Sequence, residues 1–348
     1  MKLRLLDGDD SLVAERDLDA PRSEVDAGEL LAAVEGWEPD VVGHRVVHGG
    51  TRFRSPVRVD ASVRRELEAL TDLAPLHQPK LLAGLDAVGR ALPNVPAVAC
   101  FDTAFHTTLP AAAFTYALPA GLRERFEVRR YGFHGLSHAY ASRRAAEMTG
   151  GASRVVTCHL GAGASLCAVL DGRSVDTTMG FTPLEGVVMA TRSGTVDPGL
   201  LLWLLERERM TERELAEALE HSSGLLGLAG TADMREVLAR SDDAASLALD
   251  VYVHRLRAGI AAMAASLGGL DALVFTGGVG ENSAVVRARA CAGLGFLGVS
   301  LEPGLNGSNE GDGCIGALGA DVAVLVVAAR EDLEIARQVR ELLAERRA

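Results

Sequence analysis

An arginine set inside an apolar strand is the first residue of this sequence that could do chemistry. In Val41-Val42-Gly43-His44-Arg45-Val46-Val47-His48-Gly49-Gly50, the period-two alternation of a strand puts Arg45 on one face with Val47. A guanidinium keeps its proton and is costly to bury without an anionic partner. Two readings stand side by side: an internal salt bridge, or a site for a small carboxylate with Val47 beside its alkyl part. Arg192, in Thr191-Arg192-Ser193-Gly194, could be a second cation for the same anion, because the arginine fork suits carboxylate and phosphate alike. Asp102 follows the apolar run 97–101 and so falls at a strand's carboxyl end, where open α/β sheets tend to bind ligands. His134 is bracketed by glycines in Tyr131-Gly132-Phe133-His134-Gly135, and His77 lies in Pro75-Leu76-His77-Gln78-Pro79. A histidine in such a setting is more often a satisfied structural residue than a functional one. Two Gly-rich turns close apolar strands: 155–160 runs into Gly161-Ala162-Gly163, and 272–276 into Gly277-Gly278-Val279-Gly280-Glu281-Asn282. Small residues there let backbone N–H groups approach an anion, and a following helix adds its dipole. A tight hairpin needs glycine too.

Composition narrows the settings in which such residues can work. The chain has 348 residues, long enough for two domains, with 47 acids against 35 bases and a formal charge of −12. That balance argues against a nucleic-acid-binding surface, which needs clustered positive charge. Lys2 and Lys80 are the only lysines, and neither sits in a P-loop or a protein-kinase strand motif. A pyridoxal-phosphate enzyme would have only those two candidates for its Schiff base. No H-E-x-x-H run or Cys/His cluster exists, which disfavours zinc, whereas a water-rich Mg²⁺ site leaves little trace in sequence. The five cysteines (Cys100, Cys158, Cys167, Cys291, Cys314) show no C-x-x-C pairing and read as reduced core residues of a cytoplasmic protein. The N-terminal residues lack a signal peptide's apolar stretch, and the most apolar run, 322–329, falls far short of the roughly 20 residues of a membrane span.

The elements that must hold these residues alternate along the chain. Strands are expected at 41–47, 97–101, 154–160, 165–170, 272–276 and 322–327, where β-branched and other apolar residues run between turn signals. Helices are expected at 60–71, 79–91, 136–148, 211–221, 243–266, 283–293 and 331–346. Thr211 and Glu214 form a capping box at the start of the fourth. This pattern predicts an α/β fold.

Taken together the motifs resemble the acetate/propionate/butyrate kinase family, within the larger sugar-kinase, Hsp70 and actin fold superfamily. The resemblance rests on 43–50, Pro75-Leu76-His77, 101–106, 131–135, His159-Leu160-Gly161, 191–194, 275–282 and 331–336, in order along nearly the whole chain. It implies two ribonuclease-H-like domains around a central cleft, at 1–103 with 333–348 and at 104–332. It also implies Mg²⁺-dependent (or Mn²⁺-dependent) phosphoryl exchange between ATP and acetate, giving acetyl phosphate and ADP, in a cytoplasmic homodimer without nucleic-acid or membrane partners. Residue by residue, Arg45 and Arg192 would hold acetate and the phosphoryl group in flight. His134 would donate to a phosphoryl oxygen, with His77 close by. Asp102 and Glu331 would place the metal ion, directly or through water. Val47, Leu76, Phe133 and Pro183 would line the methyl pocket. Asp233-Met234-Arg235 and the segment of Gly277, Gly278, Val279, Gly280 and Asn282 would hold adenosine. His159, Gly161 and Gly163 would border the phosphates, and Lys2 counts among the nucleotide-binding residues.

The sequence departs from the family pattern at two places. Family members open with a strand and an Asn-x-Gly-Ser-Ser-Ser loop that continues into Leu-Lys, whereas this chain begins at what looks like that Leu-Lys. The expectation is that the recorded start lies downstream of the natural one; otherwise neighbouring strand edges stay unpaired and ATP binding is impaired. Ala162 replaces the asparagine usual in the second phosphate loop. The rival readings are a propionate or longer-chain acid kinase, and a catalytically weak nucleotide-binding member. A dinucleotide oxidoreductase is disfavoured, since Gly277-Gly278-Val279-Gly280 is not G-x-G-x-x-G.

Overall fold

Residues 2–18, 27–73 and 78–345 are described by the computed structural model and fall into two units. One takes the described residues of Met1–Thr107, Phe133–Tyr140 and Arg330–Ala348; the other takes Thr108–Gly132 and Ala141–Ala329. Phe133–Tyr140, expected within the second domain, group with the first because the turn at Gly135 is packed hard against Asp102. Leu76 and His77 lie outside the described residues.

In the first unit, strand alternation decides the packing. It holds β1 (Lys2–Leu6), β2 (Leu12–Asp17), β3 (Val42–Val46), β4 (Val57–Arg58) and β5 (Ala97–Phe101). β1 and β2 form an antiparallel pair, while β3, β5 and β4 form a second sheet in which β3 runs parallel to β5. No described strand pairs with the second edge of β1 or of β3. Successive residues of β5 face opposite ways. Ala99 and Phe101 enter a cluster with Val46, Leu67, Leu82 and Leu85, under the helices Ala61–Ala69 and Gln78–Ala91. Val98 and Cys100 enter another with Leu136 and Val339, under the helix Glu331–Glu345. Gly43 lets that last helix come close to β3, since a Cβ there would run into Ile335. A strand covered on both faces reads as a continuous apolar run, as β5 does.

The second unit is built on six strands: β6 (Arg154–Leu160), β7 (Ala164–Leu170), β8 (Arg173–Thr177), β9 (Ala272–Thr276), β10 (Gly313–Cys314) and β11 (Ala323–Val326). Their order is β10-β11-β9-β6-β7-β8, with β6, β9 and β11 parallel and β7, β8 and β10 antiparallel to their neighbours. Three antiparallel strands continued by parallel ones across β6 make a ribonuclease-H-like order, the fold that the family resemblance implied. The helix Asp243–Leu267 covers β6, β7 and β8. Asp242 caps its first turn and Gly268, at φ 66°, ends it in the left-handed region that glycine adopts without strain. Leu256 and Ile260 on its inner face are fully buried, so truncating either to alanine costs about 2–5 kcal/mol.

Local signals held where they were strongest. Thr211 and Glu214 close their capping box at the head of Glu212–His221. The Gly277–Asn282 segment, expected as a turn, is itself a short helix. Four cysteines are buried, but Cys314, expected in the core, is exposed, because β10 is a two-residue strand at the sheet's edge. Among the described residues no helix is long and apolar enough to cross a membrane.

Candidate active site

The parallel pairing of β3 and β5 brings together residues far apart in sequence. Arg45 stands opposite Cys100, and the Asp102 N–H donates to Val46 O at 2.8 Å, so Arg45 and Asp102 emerge at the same carboxyl edge. The Arg45 Nε and Nη2 donate to Asp102 Oδ2 at 3.1 and 2.9 Å, and Nη1 reaches Glu331 Oε1 at 3.5 Å. The Asp102 side chain is 2% exposed, that of Glu331 24% and that of Arg45 39%. Asp102 Oδ1 is buried with no hydrogen-bond partner. Burial raises the Asp102 pKa against the pull of Arg45, and Asp102 in turn makes the Arg45 proton harder to remove. Of the two readings of Arg45, the salt bridge is what the structure contains, and the guanidinium keeps a solvent-facing side. Val47 lies in a bend beyond the end of β3, so strand alternation is not what places it.

Beside this cluster lies the turn of His134. Gly132 and His134 have φ of 74° and 55°, and a Cβ on Gly135 would overlap the Asp102 carbonyl oxygen. A left-handed histidine is sparsely populated and persists only where its surroundings hold it. Here Phe133, 1% exposed, packs edge-on against the His48 ring at 5.5 Å, and the His106 ring nitrogen Nε2 bonds Phe133 O at 3.0 Å. His134 O accepts from the His138 N–H at 2.9 Å, opening the helix Gly135–Thr149. Sequence reasoning had not singled out His48, His106 or His138 as the support of this turn. Their recurrence within the apolar motifs 43–50, 101–106 and 131–135 was the available signal for the first two. Lys2 is exposed at the start of β1.

Within the second unit, Arg192 sits on a turn fixed by backbone bonds, Met189 N–H to Arg192 O at 3.2 Å and Ser223 N–H to Thr191 O at 2.9 Å. Gly224, at φ 63°, is packed where a Cβ would meet the Met189 and Arg192 carbonyls. Arg192 Nη1 reaches Pro183 O at 3.5 Å, and among the described residues no carboxylate forms an ion pair with the guanidinium. Burial lowers its pKa. It is a half-buried cation that feels Glu220 at a distance but forms no ion pair with it.

The two Gly-rich segments meet at one edge of the same sheet. His159 on β6 stands opposite Thr276 on β9, the Gly161 N–H bonds Gly163 O at 3.0 Å in the β6–β7 turn, and Gly277, at φ 78°, rests against the backbone of Leu160. The carbonyls of Gly280 and Glu281 are held by Arg287 Nη1 at 2.9 and 2.7 Å, and Arg287 Nε and Nη2 bond Asn306. Arg287 is 2% exposed, an arginine falling between Val286 and Ala290 on the buried face of Ala284–Cys291. That placement in an apolar stripe was legible, but it was not singled out from the sequence. Asp233 caps the helix Met234–Ala239 and pairs with Arg235, whose side chain is 91% exposed, while Met234 is buried.

The fold belongs to a class, the two-domain proteins of the actin, Hsp70 and sugar-kinase type. The comparisons narrow it further. A family model described as the Acetokinase family matches residues 32–337. The chain is 54% identical over 312 residues to an acetate kinase of Leifsonia xyli, covering 88% of this chain and 79% of that one. It superposes on the acetate kinase of Porphyromonas gingivalis with a TM-score of 0.86 at 37% identity, over 98% and 90% of the two chains. A propionate kinase from Francisella tularensis gives 0.84 at 39% identity, over 89% and 82%. The chain belongs to the acetate kinase family.

Proposed function

We propose that this enzyme transfers the γ-phosphoryl group of ATP to acetate, reversibly and in line, giving acetyl phosphate and ADP. One observation carries the reading in a chain of this family: a guanidinium held from one side by a buried carboxylate, approached on the other only at 3.5 Å by Glu331 and still 39% exposed, at the carboxyl edge of parallel strands. Asp102 fixes Nε and Nη2 and so sets the direction of Nη1, whose long contact with Glu331, at 3.5 Å, an incoming carboxylate would share or displace. Acetate is already ionised at neutral pH and needs no base, so the residues' task is alignment and charge. Arg192, with no carboxylate in direct contact among the described residues, is suited to the charge that develops on the phosphoryl oxygens. His134 would donate to one of those oxygens from its strained turn. The Gly161–Gly163 turn and the Gly277–Asn282 helix would take the nucleotide, with Asp233, Met234 and Arg235.

The donor set of the first unit fits a magnesium ion. Asp102 Oδ1 is an orphaned, buried carboxylate oxygen, and Glu331 stands on the other side of Arg45. Mg²⁺ typically binds through one or two carboxylates and keeps water and phosphate as its remaining ligands. When bound it would neutralise charge on the phosphates. A homodimer is the proposed assembly, supported by the helix Pro198–Leu205, where Leu200, Leu202, Trp203 and Leu205 are all exposed. The cytoplasm is the proposed place of work, where ATP is the phosphoryl currency.

The test is a hydroxamate assay for acetyl phosphate with acetate, ATP and Mg²⁺. Product formation supports the reading. A folded protein that binds ATP but makes none would return it to a nucleotide-binding member of the family.

A further inference from the structure

After β8 the chain makes an irregular passage through Pro183 toward Arg192, and its polar groups converge on one phenol. The Tyr116 hydroxyl accepts the Phe181 N–H at 3.0 Å and donates to Glu185 Oε2. One oxygen therefore ties the residues on either side of Pro183. The second carboxylate oxygen of Glu185 receives Arg130 Nη2 at 2.7 Å, and Arg130 Nη1 bonds the Thr178 and Met179 carbonyls at 3.1 and 3.0 Å. Gly180 O accepts the N–H groups of Tyr131 and Gly132 at 3.0 and 3.2 Å. Gly180 itself has no room for a side chain, since a Cβ would overlap the Glu185 carboxylate and the Tyr116 hydroxyl. Burial and the bond to Glu185 push the Tyr116 pKa up to about 12, so the hydroxyl keeps its proton at any working pH.

We propose that Tyr116 and Glu185 form a staple that fixes Pro183, and are positioning residues that limit the length of acid the enzyme accepts. The proposal rests on the reading of Pro183 as a wall of the acyl pocket. A proline limits the arc locally but cannot fix how far it stands from the sheet; the phenol does, by closing the arc from Phe181 to Glu185. Because Pro183 O faces Arg192 Nη1 at 3.5 Å, the same closure sets the distance between wall and cation. A loosened arc would let Pro183 recede, weakening contact with acetate's methyl group and admitting a further methylene.

Tyr116→Phe keeps the ring and removes only the hydroxyl. Steady-state kinetics on the full chain with acetate, propionate and ATP would show KM for acetate raised roughly five- to tenfold, less than the full worth of a hydrogen bond to a charged group because the loss reaches acetate only through the arc. KM for ATP would stay within about twofold, and the propionate-to-acetate ratio of kcat/KM would rise. Glu185→Gln, read in the same way, decides the matter if Tyr116→Phe does not fold. The proposal is overturned if acetate KM and acid preference are unchanged, or if KM for ATP rises as much as KM for acetate. The reading beneath it is tested separately by Pro183→Gly. If that variant alters acid preference and both staple variants do not, the staple alone is wrong. If none of the three does, Pro183 is no pocket wall.

Discussion

Removing Arg45 should cost stability and catalysis for separate reasons, and the structure says how to part them. Asp102, 2% exposed, receives both Nε and Nη2 on Oδ2 and nothing on Oδ1. Arg45→Ala strands that carboxylate. Breaking a buried pair by deleting one partner costs about 3–5 kcal/mol, and the 39% exposure of Arg45 places this case at the lower end, about 3 kcal/mol. Adding Asp102→Asn removes the stranded charge and should return most of the lost stability. Activity behaves differently. Loss of a cation acting on transition-state charge lowers kcat by about 10²–10³, and the second substitution does not bring it back. Urea denaturation of the two single variants and the double variant gives the first quantity, and acetyl phosphate formation the second. If Arg45→Ala raised KM for acetate with kcat intact, the arginine would be only a tether. If Asp102→Asn left the stability of Arg45→Ala unchanged, the buried-charge account would be wrong.

Burial lowers the pKa of His44 and of His48 to about 4 from the ordinary 6.5, so both are neutral in the folded state. The stability this represents is intact above about pH 6.5 and falls as the pH drops toward 4, by about 2 kcal/mol per histidine at pH 5 relative to pH 7; urea midpoints that do not move over that window would contradict it. Val47→Ala should improve propionate relative to acetate, by no more than the 1–3 kcal/mol of roughly one methylene, and an unchanged ratio of kcat/KM would remove Val47 from the pocket. Trp203→Glu, on the helix Pro198–Leu205, should yield a monomer in sedimentation equilibrium, while a dimer unaffected by that charge would place the interface elsewhere. Chelation with EDTA should abolish acetate binding as read by calorimetry or ligand NMR, with no turnover needed; undiminished binding would rule out a metal ion beside Asp102 and Glu331.

What could be read from the sequence was local. β5 declared itself by apolar residues on both faces, and Thr211 with Glu214 by a spacing that closes on itself. Arg45 announced a need for an anion, but its partner lies 57 residues on, and only the parallel register of β3 with β5 brings the two together. Phe133–Tyr140 joined the first unit through a contact between Gly135 and Asp102 that no periodicity encodes. Tyr116 and Glu185 stand 69 residues apart, and neither sits in a motif that marks it. Cys314 has the composition of a core residue and the position of an edge. Side chains whose meaning depends on a distant partner were the ones that spacing could not resolve.

The two readings of Arg45 are in the end one arrangement. A lone guanidinium at the strand edge would bind acetate, but its side chain would sample many positions and lose entropy on binding. Pairing it with a buried carboxylate fixes its direction, at the expense of its charge. Counting the first unit's cluster, one cation faces two carboxylates, a net charge of −1 before any substrate arrives. An acetate ion brought there meets repulsion at a distance and a preset donor at contact. In the proposed mechanism a further cation would offset that repulsion, and Asp102 Oδ1, buried with no donor to satisfy it, is where a metal ion would gain most. If the proposed site is right, such an edge would tie acetate binding to a metal ion arriving with ATP, and would disfavour holding acetate where no phosphoryl donor is at hand.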